Sequence, residues 1–222
     1  MENDMDKLRV TATLKSPVIT NGGYWTLDGL LAALLFEDCG DVEAAHAAIP
    51  VKQTDGLFHA SAALMEPTMK EMVSFIASLR AEHDIHPDLL KKKKDGITLN
   101  NQMGCKRRAQ GGNVQNIYSS ATASEVTWYC EGDADAIASM LTIEKVPFIG
   151  KRRASGYGEV AEWRVESTEL DSIIGLSGEP LRPVPVEMFK GDSRSIKADA
   201  AWRPAYWNLN HRAICYVPEA TL

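Results

Sequence analysis

The chain has 222 residues, of which 45% are hydrophobic and 24% are charged, and its formal net charge is −6. This composition is ordinary for a soluble globular protein, and the length is sufficient to bury a core without metals or disulfides. The longest apolar run, Leu30–Phe36, is too short to cross a bilayer, and the acidic start lacks the apolar segment of a secretory signal. We therefore expect a cytoplasmic protein of one domain, or one domain with an accessory piece, and no membrane partner.

Two elements are predicted near the N-terminus. Residues 8–15 (LRVTATLK) alternate apolar and polar side chains, which predicts a half-buried strand. After the breaker-rich stretch 16–23, Thr26 can cap a helix whose leucines fall on one face. Gly40 is the predicted end of this helix.

The middle of the chain is predicted to hold a strand, a helix and an irregular insertion. An Asp55-Gly56 turn leads into an apolar strand over residues 57–65. Apolar residues from Met69 to Leu79 then follow at helical spacing, which predicts a short amphipathic helix. Residues 81 to about 116 contain Gly, Asn, Pro and a lysine run, so we expect a long irregular loop, which is usually functional or disordered.

The last predicted elements complete a split βαβ order. Residues 125–132 and 159–166 alternate like strands, and between them Asp133 can cap a helix that Pro147 terminates. The resulting order predicts an α+β, ferredoxin-like (RRM-like) βαββαβ domain. This domain is expected over residues 1–168, with an inserted helix and basic loop at about 66–118, and with a small, irregular accessory C-terminal region over residues 169–222.

The four cysteines follow no metal-binding pattern. They form neither a CxxC pair nor a spacing with histidine that is typical of zinc sites. We predict reduced, mostly buried thiols, no metal and no cofactor. The residues are Cys39, Cys105, Cys130 and Cys215.

Positive charge is concentrated in the insertion. The segment Lys91–Arg108 holds seven basic residues and one acidic residue, a net charge of +6, so the remainder of the −6 chain carries −12. This asymmetry favours a local anionic partner on an otherwise repelling surface, although a lysine run alone is more typical of a solvated loop. The candidate nucleic-acid contacts here are Lys91, Lys92, Lys93, Lys94, Lys106, Arg107 and Arg108.

A second basic cluster lies in the glycine-rich stretch GKRRASGYG, residues 150–158. Glycines let the backbone approach phosphates, and Lys and Arg neutralise the phosphate charge. The stretch is not a Walker P-loop, which joins a strand to a helix, and the RNP1 string of RNA-recognition motifs is absent. It predicts an RNA-binding loop, with a solvated basic turn as the alternative. The candidate residues are Gly150, Lys151, Arg152, Arg153, Gly156, Tyr157 and Gly158.

Three stretches resemble one group of proteins. FIGKRRASGYGEV, between a helix and a final strand, resembles the glycine-rich loop of the RAMP superfamily of CRISPR effector proteins. LKSPVITNGGYWTLDGLLAALLF resembles the opening of the same superfamily, and WRPAYW, residues 202–207, is similar to the Cas-five-type subunit of type IV systems, the third Csf protein. The resemblance covers most of the chain.

This resemblance implies a non-catalytic RNA-binding subunit of a type IV CRISPR ribonucleoprotein effector complex, which acts in antiviral defence or plasmid interference. Such a subunit caps the 5′ handle of the guide RNA and contacts a backbone subunit and a large subunit. It can also help to contact the protospacer-adjacent motif of target DNA. By position, the loop at residues 150–158 inherits the RNA-binding role, whereas the role of Lys91–Arg108 rests on charge alone.

Catalysis is the main alternative, because some relatives cut precursor RNA. Metal-independent cleavage needs a base for the 2′-hydroxyl and a group that stabilises the phosphorane, often His with Lys or Tyr. His211 is the best candidate among the five histidines, while His59, in a His-Ala-Ser string, lacks a second H-x-[ST] partner. We expect no catalysis. A metal-independent endoribonuclease that processes CRISPR repeat RNA stays open, as does a small-molecule binder with incidental basic loops.

The aromatic cluster near the C-terminus has two interpretations. Aromatic residues anchor cores and subunit interfaces, and they also stack on nucleobases. The candidate interface or stacking residues are Trp202, Tyr206, Trp207 and His211, with Tyr216 nearby.

Overall fold

The computed structural model describes residues 5–20, 23–77, 90–93, 96–99 and 114–219. In this part of the chain the protein is a mixed α/β molecule with several antiparallel sheets and few helices. The helices are α1 (Leu27–Cys39), α2 (Val42–Ala47) and α3 (Ala134–Met140), and short 3-10 turns cover Arg153–Ser155 and Leu209–His211. The strands are β1 (Asp6–Leu14), β2 (Val18–Ile19), β3 (Gln53–Thr54), β4 (Leu57–Phe58), β5 (Met69–Ala77), β6 (Leu90–Lys93), β7 (Gly96–Leu99), β8 (Val114–Thr122), β9 (Glu125–Gly132), β10 (Val160–Ser167), β11 (Val184–Pro185), β12 (Lys197–Ala201) and β13 (Arg212–Tyr216).

The main buried core lies on a three-stranded sheet in which β1 is the middle strand. Strands β9 and β10 both pair with β1 in antiparallel fashion, so that Val10 lies opposite Trp128 and Val165. Leu8, Val10 and Ala12 are each at most 1% exposed, which confirms the apolar face that alternation predicted for this strand. Because α3 links β9 to β10, the chain crosses over β1 between them.

Capping residues define one end of each of two helices. Helix α1 ends at the predicted Gly40, whose φ of 68° lets its N–H donate to the carbonyl oxygen of Phe36 at 2.8 Å. Asp133 caps α3, because its Oδ1 accepts a hydrogen bond from the N–H of Ala136 at 2.9 Å. Helix α3 ends at Met140, well before Pro147, so the proline is not its terminator.

The predicted Asp55-Gly56 turn is confirmed, but the strand after it is not continuous. Asp55 and Gly56, with φ of 50° and 85°, close the two-residue turn between β3 and β4. Beyond β4 the chain follows β9 through isolated bridges, from Ala60 to Cys130 and from Leu64 to Thr127. A segment of irregular backbone, residues 59–64, therefore runs beside the outer edge of β9.

The helix predicted within the insertion is wrong, because residues 69–77 form strand β5. Strands β2, β8 and β5 make a second sheet, with β8 in the middle. Phe75 of β5 contacts Tyr118 of β8 with ring centroids 5.9 Å apart. A segment this short has little helical stability of its own, so backbone pairing with β8 outweighs the helical spacing of its apolar residues.

The lysine run also differs from the predicted irregular loop. Strands β6 and β7 pair as an antiparallel hairpin, which places Lys91, Lys92 and Lys93 on a strand. Lys94, Lys106, Arg107 and Arg108 lie outside the described residues.

The C-terminal region is more ordered than predicted. Strands β11, β13 and β12 form a third antiparallel sheet, and its buried cluster centres on Cys215, which is 0% exposed. Tyr24 and Trp202 pack against this cluster. The proline- and aromatic-rich sequence is therefore organised around a small core of its own.

The prediction for the cysteines is confirmed in part. Cys130 and Cys215 are buried free thiols, whereas Cys39 is exposed. Burial raises the pKa of the Cys130 thiol to about 12 and that of the Cys215 thiol to about 11. Cys105 lies outside the described residues.

The chain divides into two compact units. The first comprises Met1–Lys70 together with Ser120–Leu222, and the second comprises Glu71–Ser119. Among the described residues, no helix is long and apolar enough to span a membrane.

Candidate functional site

The glycine-rich loop is a tight turn built on left-handed backbone positions. Gly150, Gly156 and Gly158 have φ of 78°, 84° and 72°, which glycine adopts without the steric cost of a Cβ atom. Arg152 also lies in the left-handed region, with φ of 58°. The N–H of Ser155 donates to the carbonyl oxygen of Arg152 at 2.8 Å, and this hydrogen bond closes the turn. The backbone of the loop therefore adopts a defined turn.

Two of these glycines are required by packing, and one by its backbone angle alone. A Cβ atom on Gly158 would lie 1.9 Å from the carbonyl oxygen of Ile149, and one on Gly150 would lie 2.7 Å from that of Ile19. A Cβ atom on Gly156 would meet no atom within 4 Å. The loop can thus be altered at Gly156 without a clash inside the protein.

The loop is tied to the Ser-Pro turn that follows β1. The N–H of Lys151 donates to the carbonyl oxygen of Ile19 at 2.8 Å, and the N–H of Gly158 donates to that of Pro17 at 2.8 Å. The N–H of Glu159 donates to Oγ of Ser16, also at 2.8 Å. Two sequence motifs that lie far apart in the chain therefore form one surface.

This surface borders a cleft of about 470 Å³, which we call the loop groove. Lys151 and Arg153 contribute exposed cations, and Tyr24 and Trp25 contribute half-buried aromatic rings. Residues of α1, the β2 segment, Phe148 and Tyr206 also line the groove. Positive charge beside flat aromatic surfaces suits an anionic ligand that carries aromatic rings, such as a single-stranded nucleic acid.

A buried polar network, which sequence reasoning did not identify, holds one wall of the groove. Arg182 and Asp28 are both 0% exposed, and Nη1 of the arginine lies 3.3 Å from Oδ1 of the aspartate. The same arginine donates to the carbonyl oxygens of Phe58 at 2.6 Å, Ala60 at 2.9 Å and Trp202 at 2.7 Å. These bonds join α1, the segment beside β9 and the C-terminal region.

Tyr206 is the third member of this network. Its hydroxyl donates to Oδ2 of Asp28 at 2.5 Å, and it accepts from Arg182 at 2.9 Å and from Thr26 at 2.8 Å. Burial, with the Asp28 carboxylate close by, raises the pKa of Tyr206 far above its ordinary value, so the phenol stays neutral. Burial is the largest single influence on Arg182 and disfavours its charge, but the interactions with Asp28 and Tyr206 together outweigh this effect and raise the pKa of the arginine.

The network explains the Leu-Asp-Gly start of α1. Asp28 supplies the buried acceptor, and Gly29 leaves room for the tyrosine ring, since a Cβ atom there would lie 3.1 Å from Cε2 of Tyr206. Thr26 has the extended backbone of a helix cap, but its hydroxyl bonds to Tyr206 rather than to the helix. The signal for this network was present in the sequence as an acidic residue in the first turn and a tyrosine in WRPAYW, but nothing local connected them.

The structure separates the predicted aromatic cluster. Trp202 packs beside the C-terminal core, with the Arg203 guanidinium 5.0 Å from its ring centroid, whereas Trp207 is 78% exposed. His211 is half-buried, and its Nδ1 has no hydrogen-bond partner among the described residues. Tyr206 is the member of this cluster that lines the loop groove.

His59 belongs to a separate polar cluster. Its Nε2 lies 2.9 Å from Oγ1 of Thr54, and its Nδ1 lies 3.5 Å from Oε1 of Glu131. Lys52 donates to Oε2 of the same glutamate at 2.6 Å. Burial lowers the pKa of His59, and the imidazole is 16% exposed.

The described part of the chain holds no group of three or more His, Cys, Asp or Glu side chains that could bind a metal ion. A family model described as CRISPR type IV associated protein Csf3 matches residues 6–218. No curated protein matches the chain.

Proposed function

Because the chain belongs to the Csf3 family of CRISPR type IV associated proteins, we propose that it is the non-catalytic RNA-binding subunit of a type IV ribonucleoprotein effector complex. Its ligand is the repeat-derived 5′ handle of the guide RNA. The observation that carries the proposal is the loop groove, where Lys151 and Arg153 lie beside Tyr24 and Trp25 in one cleft.

Electrostatics supports a local binding site. A chain with a net charge of −6 repels RNA over most of its surface, so affinity depends on places where cations are concentrated. Phosphate contacts by Lys and Arg position an RNA backbone, while aromatic rings stack on its bases. The loop groove offers both kinds of group within one unit of the molecule.

Strand order supports a finer assignment of the fold. We propose that β1, α1, residues 59–64, β9, α3 and β10 are the six elements of a ferredoxin-like domain of the RAMP superfamily, of the Cas-five type. In this assignment residues 59–64 occupy the place of the second strand, at the edge beside β9. The chain between α1 and these residues contains α2, β3 and β4 as additions.

The proposal includes the partners expected of such a subunit. In the cytoplasm it would contact the backbone subunit and the large subunit of the complex, and it would help to contact the protospacer-adjacent motif of target DNA. The strand lysines Lys91–Lys93 are proposed to contact nucleic acid through their charge.

The alternative function is a metal-independent endoribonuclease. Such an enzyme needs a base near the scissile phosphate, and the described residues that line the loop groove include no histidine. Tyr206 does line the groove, but its raised pKa disfavours the phenolate form. His59, in its cluster with Thr54 and Glu131, is engaged elsewhere.

One experiment separates these functions. The purified chain is mixed with labelled repeat-derived RNA in EDTA, and both binding and RNA length are measured at several salt concentrations. We expect salt-sensitive binding with the RNA intact. Cleavage would favour the endoribonuclease, and the absence of any salt-sensitive binding would exclude both functions and favour a small-molecule binder.

A further inference from the structure

A second groove is also lined by Tyr206. It is bounded by α1, by α2 and by the segment Pro204–Trp207, and its volume is about 440 Å³. Phe36, Val42, Ala45 and Trp207 give it an apolar lining. We call it the α1–α2 groove. It belongs to the same compact unit as the loop groove, and the two grooves share Gly29, Ala33 and Tyr206.

Large apolar side chains at this groove face solvent. Trp207 is 78% exposed, Phe36 is 44% exposed and Val42 is 38% exposed. Single exposed apolar residues are common on protein surfaces, but a group of them around one concave site marks a place where another molecule binds. Tryptophan in particular is enriched among the residues that dominate binding energy at protein interfaces.

Hydrogen bonds hold the walls of the groove in place. The backbone at Trp207 directly follows Tyr206, whose hydroxyl makes three hydrogen bonds in the buried network. The turn between α1 and α2 is fixed by the Gly40 cap and by Asp41, whose Oδ1 accepts from the N–H of Ala44 at 2.7 Å. A preformed groove loses little conformational entropy on binding, which favours affinity.

The charge on the α1–α2 side of the groove disfavours anionic ligands. The exposed residues between Phe36 and Ala44 include four carboxylates and no cation: Glu37, Asp38, Asp41 and Glu43. No Lys or Arg occurs anywhere in residues 27–51. Burial lowers the pKa of His46, which lines the groove, so this imidazole is neutral near pH 7. The α1–α2 side of the groove therefore disfavours an RNA backbone, in contrast to the loop groove.

We propose that the α1–α2 groove is a docking site for another protein chain, which inserts an apolar side chain flanked by Lys or Arg. The apolar lining receives the inserted side chain, and the carboxylates around it attract the flanking cations and orient the partner. A second copy of this chain fits less well. In a two-fold contact through this groove the same carboxylates would face each other across the interface. The inference rests on the proposed assembly with other type IV subunits, but it does not depend on RNA binding by the loop groove.

A cross-linking experiment tests the chemistry of the partner. The photoreactive residue p-benzoylphenylalanine is incorporated at position 207, and the chain is co-expressed with the other subunits of its type IV system and with guide RNA. After irradiation of the purified complex, mass spectrometry identifies the attached molecule. We expect a peptide of a different subunit with Lys or Arg within about three residues of the attached apolar side chain. Attachment to RNA, to a second copy or to a peptide without such cations, or no attachment at all, would overturn the proposal.

Substitutions test whether the groove contributes to assembly. Trp207→Ser should reduce the retention of one co-expressed subunit by roughly tenfold or more, as expected for a tryptophan at the centre of an interface. Trp207→Phe is the matched control and should retain that subunit. The double variant Glu37→Lys/Asp38→Lys should weaken retention in low salt and have a smaller effect in high salt.

A further measurement tests whether the subunit is lost only because RNA binding is lost. RNA binding by the isolated Trp207→Ser chain should match that of the wild type, because the loop groove is intact. Retention of every subunit by Trp207→Ser, or a loss of RNA binding that accounts for the loss of the subunit, contradicts the proposed docking site.

Discussion

The hydroxyl of Tyr206 donates a 2.5 Å hydrogen bond to Oδ2 of Asp28, although 178 positions separate the two residues in the chain. This bond fixes the WRPAYW stretch against the first turn of α1. Because Tyr206 also lines both the loop groove and the α1–α2 groove, one buried contact positions the walls of two candidate binding surfaces.

Removing this hydroxyl should destabilise the protein. Tyr206→Phe leaves Asp28 and Arg182 with fewer partners in a buried site, so we expect the free energy of unfolding to fall by about 1–3 kcal/mol. Urea denaturation followed by circular dichroism measures the change. The neighbouring variant Trp207→Phe alters an exposed ring and should change stability by less than about 0.5 kcal/mol. If the two substitutions lower the free energy of unfolding by similar amounts, the Tyr206 hydroxyl makes no specific contribution to stability.

The contributions of Arg182 and Asp28 to stability should be coupled. Arg182→Met leaves the Asp28 carboxylate buried without its cation, which should cost about 3–5 kcal/mol. Adding Asp28→Leu removes that uncompensated charge, so the double variant should lose less stability than the sum of the single variants, by about 0.5–3 kcal/mol. Additive losses in a double-mutant cycle would contradict the coupling. The double variant should still be less stable than the wild type, because three carbonyl oxygens lose the arginine donor.

Stability should fall as pH drops through the histidine range. Burial lowers the pKa of His59 below its ordinary value of about 6.5, so the unfolded chain binds this proton more tightly than the folded chain. Stability conferred by the neutral imidazole is therefore present above about pH 6.5 and is lost as the pH decreases below it.

His59→Gln should reduce the loss of stability between about pH 7.5 and 5.5, measured by thermal unfolding. His46→Gln is the comparison, since its pKa is also lowered by burial. Glu131 affects stability in a different pH range. Burial disfavours its carboxylate, but the interactions with Lys52 and His59 together outweigh this and lower its pKa, so its contribution is lost only near and below about pH 4.3. If His59→Gln leaves the pH profile of stability unchanged, the proposed contribution of His59 is contradicted.

The loop cations should set the salt dependence of RNA binding. Single-stranded contacts change the slope of log K against log salt by roughly 0.7 per phosphate neutralised. Replacing Lys151, Arg152 and Arg153 together by Ala should therefore weaken handle binding and flatten the slope by about 1.4–2.1. A variant with three other exposed lysines replaced, Lys7, Lys145 and Lys190, carries the same charge change and should keep most of the wild-type slope. Equal slopes for the wild type and the loop variant, with both shown to be folded, would leave the loop as a solvated turn.

The glycines of the loop should separate function from folding. Gly156 has φ of 84° in open space, so Gly156→Val introduces backbone strain without a clash and should reduce RNA binding more than stability. Gly156→Asn is the control, because asparagine tolerates the left-handed region. Gly158→Ala should instead reduce stability, since its Cβ would collide with the carbonyl oxygen of Ile149. Loss of binding in the Asn variant equal to that in the Val variant would show that the backbone angle is not the cause.

Features that depend on a few neighbouring residues could be predicted from the sequence. The end of α1 at Gly40, the cap at Asp133 and the turn at Asp55-Gly56 all follow from local backbone preferences and short hydrogen bonds. The same holds for the positive φ values of Gly150, Gly156 and Gly158, which glycine adopts at low cost.

Features in which distant segments compete for the same groups depend on long-range packing and could not be predicted. Residues 69–77 became a strand because β8 supplied backbone partners, and the Thr26 hydroxyl bonded to Tyr206 instead of capping α1. Arg182 gave no sign of its role, because an arginine is buried only where a carboxylate and several carbonyl oxygens converge on it. Such convergence is set by the packing of segments that lie more than a hundred residues apart, and no local pattern in the chain encodes it.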